Sequence, residues 1–188
     1  MRLLSITLLV FLIVGSVFAT TFRIPGEYPA IQTGLNFAVT GDTVLVANGV
    51  YTGTDNRNLN FNGQDIVLMS ENGPHTCIID CENLARGISF MSGETPAAQV
   101  IGFTITNARY TMGAGIYCYD SSPTFKNCII HDCQAGAGGG AAAIFFGAPS
   151  FYNCVFHSNS AREGGGVSAE SADVTLNSCV IAANSSSG

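Results

Sequence analysis

The chain has 188 residues, with seven Lys and Arg against thirteen Asp and Glu and a formal net charge of −6; Lys126 is its only lysine. So acidic and sparsely charged a chain has no basic footprint for nucleic acid or anionic lipid. Beyond the first nineteen residues, its length is one domain's worth of sequence.

Residues 1–19 read as a secretory signal peptide. Arg2 is the charged start, Leu3 to Val14 the apolar stretch and Val17-Phe18-Ala19 the small-residue exit, with cleavage expected between Ala19 and Thr20. As a membrane anchor the apolar run falls short of the roughly twenty residues that a span needs. No cysteine lies near the exit to take a lipid, and no later segment is apolar for long enough to cross a bilayer.

Residues 20–75 read as an N-terminal cap together with the first, irregular coils of a stacked structure. Between Pro29 and Val39, the residues Ile31, Leu35, Ala38 and Val39 share one helical face. Pro29 suits a first helical turn, and Gly41 lies just past the end. The expectation is a helix that covers the open end of the first coil and hides its unpaired edges. Thr43-Val44-Leu45-Val46-Ala47 then reads as a strand, Asn48-Gly49 as a turn and Val50-Tyr51 as a second short strand.

From residue 76 to 188 the chain repeats. The segments starting at Cys77, Phe103, Cys128, Cys154 and Cys179 recur at offsets of 26, 25, 26 and 25 residues. Between them recurs a second element, Gly113-Ala114-Gly115-Ile116, Gly138-Gly139-Gly140-Ala141 and Gly164-Gly165-Gly166-Val167. A fixed period of this size marks units that cannot bury an apolar face alone and must stack on their neighbours. Each unit has short runs of Val, Ile, Phe and Thr broken by Gly, Asn, Ser and Asp, and none has the length or the 3.6 periodicity of a helical repeat. Leu is almost absent after residue 84, which argues against leucine-rich repeats. Two or three strands per unit, with tight turns, make one coil of a solenoid whose coils pair as parallel strands roughly 4.8 Å apart.

Alternation places Phe125, Cys128 and Ile130 inward, with a bend at Asn127; the same slots hold Phe151, Cys154 and Phe156, then Leu176, Cys179 and Ile181. Asn107, Asn159 and Asn184 follow these runs, where a residue that tolerates left-handed backbone is wanted. The glycine triplets permit positive φ at the next corner.

Two stretches carry a resemblance. Tyr28-Pro29-Ala30-Ile31-Gln32 through Gly41 to Tyr51 resembles the opening module of secreted bacterial right-handed parallel β-helix proteins. Phe156-His157-Ser158-Asn159 followed by Gly164-Gly165-Gly166-Val167 is similar to the Phe-x-x-Asn and Gly-Gly-Ala-(Ile/Leu/Val) motifs of polymorphic outer-membrane proteins. Ile130-His131-Asp132-Cys133 with Gly138-Gly139-Gly140-Ala141 matches only in part. The resemblance implies an all-β, right-handed parallel β-helix of the pectate-lyase kind, secreted or displayed at a bacterial outer membrane. It says little of function, since such solenoids include adhesins, passenger domains and polysaccharide lyases. The ending, Asn184 to Gly188, falls part-way through a repeat, so the expectation is a piece of a longer protein.

Seven cysteines in an exported chain raise the question of disulfides. Cys128, Cys154 and Cys179 share one column, and the favoured reading is a ladder of buried free thiols packing as small apolar groups. Cys77 and Cys81 are close enough in sequence to bridge a turn; Cys118 and Cys133 have no obvious partner. His131 and His157 share a column one step after the inward Ile130 and Phe156, and Ala182 is its next member. An incidental surface pair outweighs a two-histidine metal or catalytic site there.

Lyases of this fold hold Ca²⁺ in a carboxylate cluster and use Arg or Lys to take a proton beside the sugar carboxylate. Asp80, Asp120, Asp132 and Asp173 are the candidate acids, with Arg86, Arg109, Lys126 and Arg162 as candidate bases. They fall at different repeat positions, so no catalytic residue, metal site or cofactor is assigned. Two readings remain. One is an exported non-catalytic solenoid, structural or adhesive, whose Tyr110, Tyr117, Tyr119 and Tyr152 stack against a surface polysaccharide or the glycans of a host or neighbouring cell. The other is a polysaccharide lyase or hydrolase with its site in coils beyond Gly188.

Overall fold

A computed structural model describes residues 18–188; the expected leader core at 1–17 lies outside the described residues. The chain winds as a parallel solenoid. Its first sheet has seven strands, Thr21–Ile24, Thr43–Val46, Val67–Ser70, Gln99–Ile101, Thr124–Lys126, Ser150–Tyr152 and Thr175–Asn177, in that spatial order. A second, six-stranded sheet runs from Gly49–Tyr51 through Cys77–Asp80, Thr104–Thr106, Ile129–His131 and Val155–His157 to Val180–Ala182. All pairings are parallel, and register follows the repeat: Phe125 pairs with Phe151 and Phe151 with Leu176, while Ile130 pairs with Phe156 and Phe156 with Ile181. This is the expected all-β, right-handed parallel β-helix.

Two further sheets correct the expectation of two or three strands per unit. Arg109–Met112, Gln134–Gly138, Ser160–Ala161 and Ser185–Ser186 form a four-stranded third sheet. Leu59–Asn60, Ile88–Phe90, Ile116–Tyr119, Ala142–Phe145 and Val167–Glu170 form a five-stranded fourth. A middle coil thus carries four strands, and a left-handed residue ends each: Asn127 (φ 53°), Asp132 (φ 52°), Gly139 (φ 64°) and Phe146 (φ 55°). Short polar side chains or glycine suit three of these corners. The neighbouring Gly140 is needed for a different reason. A Cβ there would lie 2.3 Å from the Gly165 carbonyl oxygen of the next coil.

The asparagines need separating. Asn107 does take positive φ, at 53°. Asn159 and Asn184, grouped with it from sequence, lie one residue later in the repeat; the left-handed corners of their coils are Ser158 and Ala183. Asn159 points inward, where it is 1% exposed. Its amide nitrogen donates to Ile130 O and to Asn184 Oδ1, each at 2.9 Å, and its oxygen accepts from Cys133 N at 3.0 Å. Asn184 repeats the pattern by donating to Phe156 O at 2.9 Å. An inward polar side chain is tolerated only because every bond is met by the coils beside it.

The interior is otherwise apolar columns. Phe61, Phe90, Phe125 and Phe151 follow one another with centroid separations of 4.6, 5.8 and 4.9 Å, the last pair stacked at 13°. Burial of each ring contributes roughly 1.5–3 kcal/mol, and ring pairing adds about 0.5–1.5 kcal/mol. At the N-terminal end the helix α1 covers Ile31–Phe37, shorter than Pro29 to Val39 suggests. Ala30 and Ala38 are both extended, so Pro29 precedes the helix and Val39 follows it, half exposed. Its buried residues Ile31, Gly34 and Leu35 face the first coil; a Cβ on Gly34 would lie 2.9 Å from Ile24 Cδ1 and 3.1 Å from Val44 Cγ1.

Candidate functional site

The cysteine column is an interior feature. Cys128 and Cys154 are fully buried and Cys179 partly so, and all seven cysteines are free thiols, including Cys77 and Cys81. The Cys128, Cys154 and Cys179 sulfurs each sit 3.3–3.4 Å from the carbonyl oxygen two residues back. Burial pushes the Cys77 thiol up to about 12, with the Glu71 carboxylate adding to it, and burial pushes Cys133 up to about 12. The bond shared with Cys128, then burial, pushes Cys154 up as well. Such thiols are poor nucleophiles and poor metal ligands.

His131 and His157 do stack, with ring centroids 4.9 Å apart and planes 4° apart. His131 Nδ1 lies 2.6 Å from the Asp132 carboxylate, whereas His157 Nδ1 meets the Ser158 hydroxyl at 3.1 Å. Among the described residues no group of three or more His, Cys, Asp or Glu is placed to hold a metal ion. Three of the four candidate acids serve local structure, and Asp173 is exposed. Asp80 accepts from Asn107 Nδ2 at 3.0 Å and from Glu82 N at 2.9 Å, and Asp120 and Asp132 occupy left-handed corners.

The candidate bases divide. Lys126 Nζ donates to Gln99 Oε1 at 3.0 Å along the first sheet. Arg86 is buried; its guanidinium lies 4.2 Å from the Tyr110 ring and 4.3 Å from the Tyr117 ring, and it donates to the carbonyls of Gly113 and Met112 at 3.0 and 2.9 Å. Burial lowers its pKa from the ordinary value, and the two phenols act the other way. Arg86 therefore braces Tyr110 from behind, leaving that ring half exposed on the third sheet.

Arg109 and Arg162 each line a hollow on the third sheet. Two adjoining hollows of about 440 and about 330 Å³ share Gln134, Ala135 and Gly136. One extends past Ser160, Ala161 and Arg162 to Ser185, the other past Thr111 to Arg109 and Tyr110. The register explains the shape. Tyr110 pairs with Ala135, so a large ring is followed along the column by a small side chain. Arg109 pairs with Gln134 and Gln134 with Ser160, which then pairs with Ser185, giving a polar row along one side. An irregularity between Tyr110 and Met112 shifts the pairing there, a feature that re-aims side chains on sheet faces. Of the four tyrosines singled out from sequence, only Tyr110 lines this groove. Tyr119 is paired edge-on with Phe146, and Tyr117 packs on Phe145 and Arg86.

Gln134, Ser160 and Ala135 were not picked out from sequence. Their signal was the offsets of 25 and 26 residues from Arg109 to Gln134 to Ser160, hidden in a stretch with too few apolar residues to read as strand. No helix among the described residues is long and apolar enough to cross a membrane. No curated protein and no solved structure matches the chain. A family model described as "Right handed beta helix region" matches residues 82–188, which takes in all four strands of the third sheet. With more than half its length matched in this way, the chain belongs to the right-handed β-helix family.

Proposed function

We propose that this chain is an exported, non-catalytic β-solenoid that holds a surface polysaccharide along the groove of its third sheet. The observation that carries the reading is the groove itself, an open polar trough running across successive coils with Tyr110 braced by Arg86 at one end. A trough parallel to the solenoid axis suits a linear polymer. An exposed tyrosine offers a face for a sugar ring, and amide and hydroxyl groups from Gln134, Ser160 and Ser185 offer bonds to sugar hydroxyls. Arg109 favours a polymer that carries carboxylates, whereas Arg162 is shared with Glu163, 3.4 Å away. Export rests on the leader at 1–19, and a bacterial extracellular or outer-membrane setting on the likeness to polymorphic outer-membrane repeats. The lining offers amide, hydroxyl, phenol and guanidinium groups, with the Glu163 carboxylate 3.4 Å from Arg162 at its edge.

The test is titration of the chain with polygalacturonate, alginate and neutral dextran, followed by calorimetry and by absorbance at 235 nm. Saturable binding to an acidic polymer is expected, weakened at least tenfold by Tyr110→Ala with melting unchanged and without unsaturated product. Binding to none of the three, or binding indifferent to Tyr110→Ala and Arg109→Ala, overturns the reading. Unsaturated product lost with Arg109→Ala would make the groove a lyase site.

A further inference from the structure

Asp42 is 4% exposed, and among the described residues no Lys, Arg or His forms an ion pair with it. Its carboxylate accepts two backbone N–H groups, Thr20 N on Oδ1 at 2.7 Å and Val39 N on Oδ2 at 2.9 Å. Both bonds come from neutral amides, so the carboxylate has no charged partner among the described residues. Thr20 is also anchored on its other side, since its carbonyl accepts Thr43 N at 2.9 Å. Phe18, Ala19 and Thr20 are all exposed, so the Ala19–Thr20 bond lies where the chain enters the folded body. The shorter of the two bonds to Asp42 is therefore to the nitrogen that cleavage before Thr20 would set free.

We propose that the Ala19–Thr20 peptide bond is a processing site and that the α-ammonium of Thr20 is the counter-ion of Asp42. The reaction is hydrolysis by an export-associated peptidase that selects small side chains. One water is consumed, its oxygen passes to the Ala19 carbonyl carbon to give a carboxylate on the leader, and the Thr20 nitrogen departs as an amine. That amine is protonated at neutral pH, the ordinary α-amino value being about 7.7–8.0. An amide N–H bond to the carboxylate at 2.7 Å thus becomes an ion pair with charge on both partners. Asp42 also holds Val39, just past the helix, so its carboxylate already bridges the cap and the start of the first sheet, and the ion pair strengthens that bridge once the leader is gone. The inference rests on the exported reading but not on glycan binding.

The test compares three forms of the chain: residues 20–188 with a free amine, the same residues with Thr20 N-acetylated, and residues 19–188. The free amine is expected to melt higher than the other two by roughly 2–4 °C, and the gap is expected to vanish in Asp42→Asn. Equal melting of the three forms overturns the ion pair, and this comparison stands even where Asp42→Asn does not fold. The second readout is N-terminal sequencing of the chain secreted from a bacterial host that expresses residues 1–188. A start at Thr20 is expected. A secreted chain starting elsewhere overturns the processing site, whereas a chain retained uncleaved in the cell overturns the exported reading with it.

Discussion

The two ends of the solenoid are built from the same kind of inward residue and differ in what covers them. At the N-terminal end Ile24 and Val44 are 1% and 0% exposed, because α1 lies across the first coil. In the last described coil Leu176 and Ile181, which pair with the fully buried Phe151 and Phe156, are 43% and 48% exposed. Alternation aims a side chain inward, but the neighbouring layer decides whether it is buried. The repeat is therefore a nearest-neighbour structure in which each coil is stable only through the next.

Removing the difference at the capped end has the largest expected effect. Deletion of residues 28–41 uncovers Ile24 and Val44 together with the backbone edge above them, and takes away Val39 N, one of the two donors to Asp42. The shortened chain is expected to aggregate, read as loss of the monomer peak in size-exclusion chromatography. A monomer with unchanged melting would show that α1 is not a cap.

Within one column the comparison sharpens. Phe151→Ala removes a ring packed against Phe125 and Phe156 and is expected to cost about 3–5 kcal/mol in urea unfolding. Leu176→Ala, in the same column one coil on, is expected to cost at most about 1 kcal/mol, because much of that side chain is already in water. Equal costs would break the nearest-neighbour account.

The cysteines give the smallest effect. Cys179, the one thiol not fully buried, is expected to react first with a disulfide reagent at pH 8, and Cys77 and Cys133 much later. Their native pKa values near 12 exceed the ordinary value of about 8.5, so the folded state keeps protons that the unfolded chain loses. This contribution to stability is complete below about pH 8.5 and disappears as pH rises towards about 12. Stability rising with pH across that window would contradict the burial of these thiols.

The first and second sheets were legible in the residues, since Phe125, Cys128 and Ile130 recur at fixed offsets with apolar side chains at each place. The third sheet was not. Gln134, Ala135 and Gly136 lie between the recurring apolar runs and the glycine triplets, and what holds them extended is the coil on either side rather than any β-propensity of their own. The groove lies on that sheet, and its residues form no local chemical motif. Asn159 was misplaced for a related reason. One residue separates an outward corner from an inward slot, and asparagine suits both.

The sequence alone determined the period, the parallel solenoid and the identity of the apolar columns, because a 25–26-residue repeat of inward Phe, Ile and Cys has one economical way to bury itself. Tertiary structure alone decided the number of strands per coil, the pairing of Asp42 with Thr20 and the joining of Arg109, Tyr110, Gln134 and Arg162 in one trough. These depend on contacts between residues about 22 to 26 positions apart, which stacking of coils creates and which local propensity does not encode.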